Sequence, residues 1–216
     1  MTRSAHFAGP AGWVLLLVMS VSASLLACAE PSAITVADLI TRDPEEHQRI
    51  LRDGIADGRL LWVKTEQNQS EPSGNLPGRF ETEMWLGATA DGTITTAVST
   101  LHYPDGPETM DMTATYAHIT LTAWLDQAWN LTAFAERAGA VYRGPGRLHG
   151  WDSLIYEWDH DTEIQRLEIV ADAPLIARES SYQVTQQGVL ELRTSNSVIE
   201  YRLLPPGAEP PAVDRQ

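Results

Sequence analysis

Few side chains in this sequence are spaced to do chemistry. His160 stands between Asp159 and Asp161 with Glu163 close by, and a carboxylate and imidazole cluster of that kind can hold a metal ion or relay a proton. The same residues have the composition of a hairpin tip, rich in Asp and Thr, and that is the reading taken. His149-Gly150-Trp151-Asp152 offers half of a His/Asp pair, but no Gly-x-Ser-x-Gly elbow presents a nucleophile to it. A P-loop, a dinucleotide fingerprint and a His-Glu-x-x-His motif are missing too. No catalytic residue, metal site or cofactor is therefore expected; the chain reads as a non-enzyme, with an unrecognised hydrolase as the remote alternative. The remaining reactive group is Cys28, the single cysteine, a thiol with no disulfide partner in the chain.

The residues before Cys28 give that thiol a use. Met1 to Pro10 carry one basic residue, Arg3, and no acid, and residues 11 to 27 are apolar and small, with Val14 to Met19 at their centre. This is the layout of a secretory signal, too short and wrongly flanked for a stable membrane span. Leu25-Leu26-Ala27-Cys28 resembles the lipobox of bacterial lipoproteins, although Leu26 stands where Ala or Ser is more usual. The resemblance implies a diacylglycerol thioether on Cys28, cleavage after Ala27, and an acylated new amino terminus that anchors the protein to a membrane outside the cytoplasm. Two or more chains anchor far better than one, since each buried methylene contributes about 0.8 kcal/mol. Ala29 carries no aspartate-type retention signal, so cell membrane and outer membrane both remain destinations. Ala27-Cys28-Ala29 also fits an ordinary small-x-small cleavage site, which would release a soluble protein.

Cleavage leaves residues 28 to 216, enough for one domain with a substantial core. Only Arg3 is lost from the 15 basic residues, while all 29 acidic ones stay. A surface so acidic repels nucleic acid and anionic headgroups, so membrane attachment falls to the lipid anchor.

Residues 28 to 35 form the anchor and a short spacer. Thr35 to Asp38 and Asp43-Pro44-Glu45-Glu46 read as helix starts, the second with an N-cap acceptor, proline at the first helical position and two acids at the positive end of the dipole. A broken helix is predicted over 36–56. Past Gly58 the apolar period drops from about 3.6 to about 2. Strands are predicted over 59–67, over 79–88 and 93–103 around the turn Ala90-Asp91-Gly92, and over 109–118. Between the first two lies a polar loop, 69–78, in which Leu76 is an isolated apolar residue. One helix is predicted from Thr120 or Thr122 to Ala138. Strands resume at 141–143, followed by a Gly144-Pro145-Gly146 turn, then at 153–158, 165–171, 175–184, 189–194 and 197–204, with a turn at Ser195-Asn196. Residues 205–216, rich in proline, form a flexible tail.

Short loops force such a run of strands into an antiparallel meander, and helices covering one face of a curved sheet give an α+β half-barrel. The lipobox, amino-terminal helix, strand run, central helix and closing meander ending in Tyr201-Arg202-Leu203-Leu204-Pro205-Pro206 resemble the LolA/LolB lipoprotein-carrier superfamily, with its LppX-like lipid-binding lipoproteins and the amino-terminal domain of RseB. The resemblance covers most of residues 34 to 206 and rests on layout. It implies one LolA-like domain over 36–204 that binds a lipid or the acyl chains of a lipoprotein in an apolar hollow, in cell-envelope transport or sensing. Candidate lining residues are Trp62, Phe80, Trp85, Trp124, Trp129, Trp158 and Tyr201, all of which could equally pack a core. Leu76 is the candidate membrane-contact residue. The alternative partner is a membrane protein, contacted by an RseB-like regulatory or scaffolding module.

Overall fold

The computed structural model describes residues 32–69, 78–103, 105–160, 163–185 and 187–213. The leader, Cys28 and Leu76 lie outside them, as do the side chain of His160 and residue Asp161. Residues Ala33–Gln216 form one compact unit.

Ten strands make one antiparallel sheet among the described residues: β1 Ile34–Thr35, β2 Leu61–Gln69, β3 Arg79–Ala88, β4 Ile94–Tyr103, β5 Gly106–Asp111, β6 Val141–Leu148, β7 Trp151–His160, β8 Glu163–Val170, β9 Ala177–Val184 and β10 Leu190–Leu203. Their order is β5-β4-β3-β2-β10-β9-β8-β7-β6, with the two-residue β1 paired to the end of β10. The sheet is curved and open, as expected for the fold class. The last strand in sequence is thus its centre, joining two meanders, β2 to β5 and β6 to β9.

Five helices accompany it among the described residues: α1 Val36–Leu39, α2 Pro44–Ala56, α3 Thr113–Tyr116, α4 Leu121–Trp129 and α5 Leu131–Arg137. Asp38 accepts hydrogen bonds from the Thr35 backbone N–H at 2.9 Å and its hydroxyl at 2.8 Å, and Asp43 caps α2 by accepting from Glu45 N–H. Both helix starts match the sequence reading. Leu39, Leu51, Ile55, Leu121 and Leu125 from α1, α2 and α4 pack against Leu61, Val63, Leu86, Ala97, Tyr201 and Leu203 of the sheet. A smaller cluster, Ala135 with Tyr156, Leu167 and Ile169, lies under α5. Partners in antiparallel register share a face, so all these strand residues lie on one covered face, and their sequence neighbours occupy the open face.

Four expectations are corrected. The strand expected over 109–118 stops at Asp111, whose carboxylate accepts from Thr113 N–H at 2.8 Å and starts the turn of α3; Thr113 Oγ1 then accepts from Ala97 N–H. Met112, Ala114 and Tyr116 are therefore not a strand face. The single helix divides at Asn130, whose side-chain amide donates to the Asp126 carbonyl at 2.7 Å and closes α4. Gly144-Pro145-Gly146 is no turn. It lies within β6, an edge strand where proline's missing N–H costs nothing, and the register shift at Arg143 with Gly144 at φ 122° forms a bulge. The chain reverses instead at His149-Gly150, at φ 49° and 91°, between paired Leu148 and Trp151. Last, Ser195-Asn196 runs straight through β10. Ser195 pairs with Asn68 on one side and Ser180 on the other, and two ladders of backbone bonds override the local turn preference.

A bulge in β10 sets what the covered face displays. Tyr201 is opposite Val63 and Glu200 opposite Lys64, but Thr65 is opposite Val198. The extra residue, Ile199, returns Val198 and Asn196 to the face of Tyr201.

Candidate functional site

Three adjoining cavities follow β10 on the covered face. The central one, about 300 Å³, is lined by Val63, Thr65, Thr82, Met84 and Leu86 of β2 and β3, Ile94, Asn196 and Val198, and by Tyr116, Ile119, Leu121 and Trp124 from the α3–α4 region. A second, about 250 Å³, shares Trp124 and Val198 with it and adds Gln127, Ala128, Leu131, Pro174, Leu175 and Ala177. The third, about 380 Å³, shares Asn196 and is polar; Gln67, Glu163, Gln165, Glu179, Ser181 and Thr194 line it from the covered face, and it also reaches Asn68, Ser180 and Ser195, which alternate with them toward the open face. The central space stays open because α3 and the start of α4 are held off the sheet by their attachments. Leu121 N–H donates to the Gly92 carbonyl at 2.8 Å, and Thr120 and Thr93 form an isolated bridge. Gly92, at φ 86°, is where a Cβ would run into Thr122 Oγ1, so this junction needs glycine.

The seven aromatic candidates do not share one hollow. Trp124 alone lines the apolar cavities. Trp62 and Trp85 are partners across β2 and β3 on the open face, where Trp62 donates to Glu83 at 3.0 Å and the Arg202 guanidinium lies 4.9 Å from its ring centre. Phe80 is on the covered face opposite Gln67, one alternation beyond Thr82 and outside the cavity linings. Trp158 packs against the cluster under α5 and donates to the Ala138 carbonyl. Trp129 donates to the Pro44 carbonyl and meets the His47 ring edge-on, centres 5.2 Å apart. Tyr201 is fully buried and its hydroxyl lies 2.7 Å from His47 Nε2. Strand parity explains the division: odd and even positions of β2 face opposite ways, so Trp62 cannot join Val63.

His47 escaped the sequence reading, because a lone histidine in a helix gives no signal by itself. It is fully buried, with Nδ1 3.2 Å from the Asp172 carbonyl and Nε2 against Tyr201. A carbonyl only accepts, so Nδ1 carries the proton and Nε2 accepts from the tyrosine hydroxyl. Burial lowers His47 to about 4 and pushes the Tyr201 hydroxyl up. The group is a neutral fastener between α2, α4 and β10.

His149 does have a hydroxyl neighbour, Ser197 Oγ at 2.7 Å. Ser197 is buried on the open face in mid-strand, and neither residue borders the three cavities. This Ser–His contact pins the β6–β7 hairpin to β10. Of the acids around His160, Asp159 pairs with Arg143 at 3.4 Å and Glu163 accepts from the Ser181 hydroxyl.

Among the described residues the open face has no helix over it and is covered by its own long side chains. Glu157 accepts from Arg143 Nε at 2.7 Å and from Arg166 Nη2 at 2.6 Å, and Glu168 accepts from Arg178 and from Ser153. Burial alone would raise Glu157, but hydrogen bonds from Arg166 and Arg143 hold it below the usual range. Ser153, Ser180, Ser195 and Ser197 are buried on this same face.

Fold and cavities together define the class: an open antiparallel sheet, helix-covered on one face, with a trough that is apolar at its middle and polar at one end. No family model and no curated protein matches the chain. Among solved structures it is similar to MucB in complex with MucA(peri), at 14% identity and a TM-score of 0.35, over 78% of this chain and 57% of that one. It is also similar to the Pseudomonas aeruginosa MucA/MucB complex, at 15% identity and a TM-score of 0.33, over 79% and 59%. The chain thus spans less than two thirds of either.

Proposed function

We propose that this protein is an extracytoplasmic binding protein, anchored through Cys28, that takes a hydrophobic ligand non-covalently into the trough and acts as carrier, acceptor or sensor without catalysis. The observation that carries the reading is the apolar cavity of about 300 Å³ between Val63, Met84 and Leu86 on the sheet and Trp124 on α4. A core packed to ordinary density leaves few voids larger than a water, and apolar surface around this one gains about 25 cal/mol for each Å² covered by a ligand. The size is at the lower end of ligand sites, which run from about 300 Å³ upward. It suits one chain, and a multiply acylated ligand would require the helices to move.

Native mass spectrometry tests this, on protein lacking residues 1–28, expressed in a lipid-containing cell and purified without detergent. A retained mass of several hundred daltons that fragments as lipid is expected, and Val198→Trp, which fills both apolar cavities, should lose it while keeping the cooperative melt. Empty protein that also fails to take up a fluorescent monoacylglycerol would sink the reading.

A regulatory or scaffolding module that binds a membrane protein is the second reading. Phe134, Val141 and Tyr142 favour it, each about 50% exposed around the end of α5 and the start of edge strand β6; apolar side chains so placed mark contact surfaces. MucB, in the similar structures, is seen bound to another protein. A stable complex formed by ligand-free protein and abolished by Val141→Ser with Tyr142→Ser would establish this role.

A further inference from the structure

The trough has an electrical character that its apolar middle does not require. None of the residues lining the three cavities is Lys or Arg, whereas Glu163 and Glu179 line the polar one. Apart from Arg193, which stands at the register shift of β10 between Leu192 and Thr194, the basic residues of the neighbouring strands point the other way. Lys64 and Arg79 alternate with the covered-face residues of β2 and β3, and Arg166, Arg178 and Arg202 do so on β8, β9 and β10. All five, Lys64, Arg79, Arg166, Arg178 and Arg202, are engaged with carboxylates, those of Glu81, Glu66, Glu157, Glu168 and Glu200 in that order.

The remaining polar lining is amide and hydroxyl: Gln67, Gln165, Asn196, Ser181 and Thr194. Amides donate and accept, and carboxylates only accept, so the set is weighted toward ligand groups that donate hydrogen bonds. Asn196 borders both the polar and the apolar space, one alternation along β10 from Val198. A chain seated beside Val198 would therefore place its head among these groups within about 7 Å of strand.

Resting on the binding function proposed above, we infer that the trough selects a single-chain amphiphile whose head is a hydrogen-bond donor without negative charge, a polyol or an ammonium, and discriminates against phosphate and carboxylate heads. An anionic head would sit beside two carboxylates with no Lys or Arg among the described lining residues, which is the arrangement specificity uses to exclude a ligand.

Calorimetric titration with amphiphiles sharing a twelve-carbon tail tests this, each below its micelle concentration: monolaurin, dodecylammonium and dodecyl phosphate. Monolaurin, dodecylammonium or both should bind at least about tenfold more tightly than dodecyl phosphate. Glu163→Gln with Glu179→Gln distinguishes the heads, weakening dodecylammonium by a larger factor than monolaurin; Glu179→Lys should raise dodecyl phosphate affinity. Dodecyl phosphate binding as well as the others would overturn head selection and leave the cavity reading intact. If no amphiphile binds, the cavity reading itself fails.

Discussion

At the residue scale, the buried His47 makes acid the first stress this molecule should feel. Its ring is held neutral at about 4, against 6.5 when exposed. The unfolded chain takes up a proton as pH falls below 6.5 and the folded chain does not, so the unfolded state gains. Stability from this group is complete above pH 6.5, declines as pH falls toward 4, and is then spent. The span corresponds to about 3 kcal/mol. Chemical denaturation from pH 7 to 4 should show this slope, and His47→Gln should flatten it. Tyr201→Phe, which strips Nε2 of its donor, should cost roughly 1–3 kcal/mol at pH 7. Unchanged stability between pH 7 and 4 in the unmodified protein would mean that the histidine is solvated. None of this was legible in Asp43-Pro44-Glu45-Glu46-His47: the cap could be read locally, but the partners Asp172 and Tyr201 lie far along the chain and only the fold delivers them.

At the scale of the element, sequence periodicity located strands well and faces poorly. The hairpin of β3 and β4 and the two amino-terminal helix starts are governed by neighbouring residues, so local chemistry was enough. Faces failed where the period was interrupted. Ile199 is one residue too many in β10, and it decides that Val198 and Asn196 look into the trough. Nothing in Ser197-Val198-Ile199-Glu200 announces a bulge, since the register belongs to the pair β2 and β10 and not to either strand. The seven aromatics were grouped by type, whereas parity sends Trp62 and Trp85 to the far side. Deleting Ile199 should remove the bulge and leave Val198 opposite Thr65 and Asn196 opposite Gln67, both still facing the trough. The expected result is protein that still melts cooperatively and still takes up a fluorescent monoacylglycerol. Lost uptake would show that the trough depends on the bend of the bulge itself.

For the whole molecule, the open sheet has two free edges, β5 and β6, and an unguarded edge invites pairing with another chain. Pro107 in β5 and Pro145 with its bulge in β6 interrupt them. Pro145→Val should raise self-association at high concentration, measured by sedimentation, with little change in the melting temperature of dilute protein. A monomer at all concentrations would assign the proline another purpose.

The central position of β10 has a consequence for how the molecule comes into being. Its last residue, Leu203, is paired to Leu61 and to Ile34, and Arg59 Nε donates to the Leu204 carbonyl at 2.6 Å. Two half-sheets made earlier in synthesis have no seam until the final strand arrives between them. A ribosome must release every described strand of the sheet before the long-range contacts close, and such contacts form slowly. The growing chain consequently stays open and threadable for as long as it is being made, the condition a protein needs if it is to be passed through a membrane before it folds.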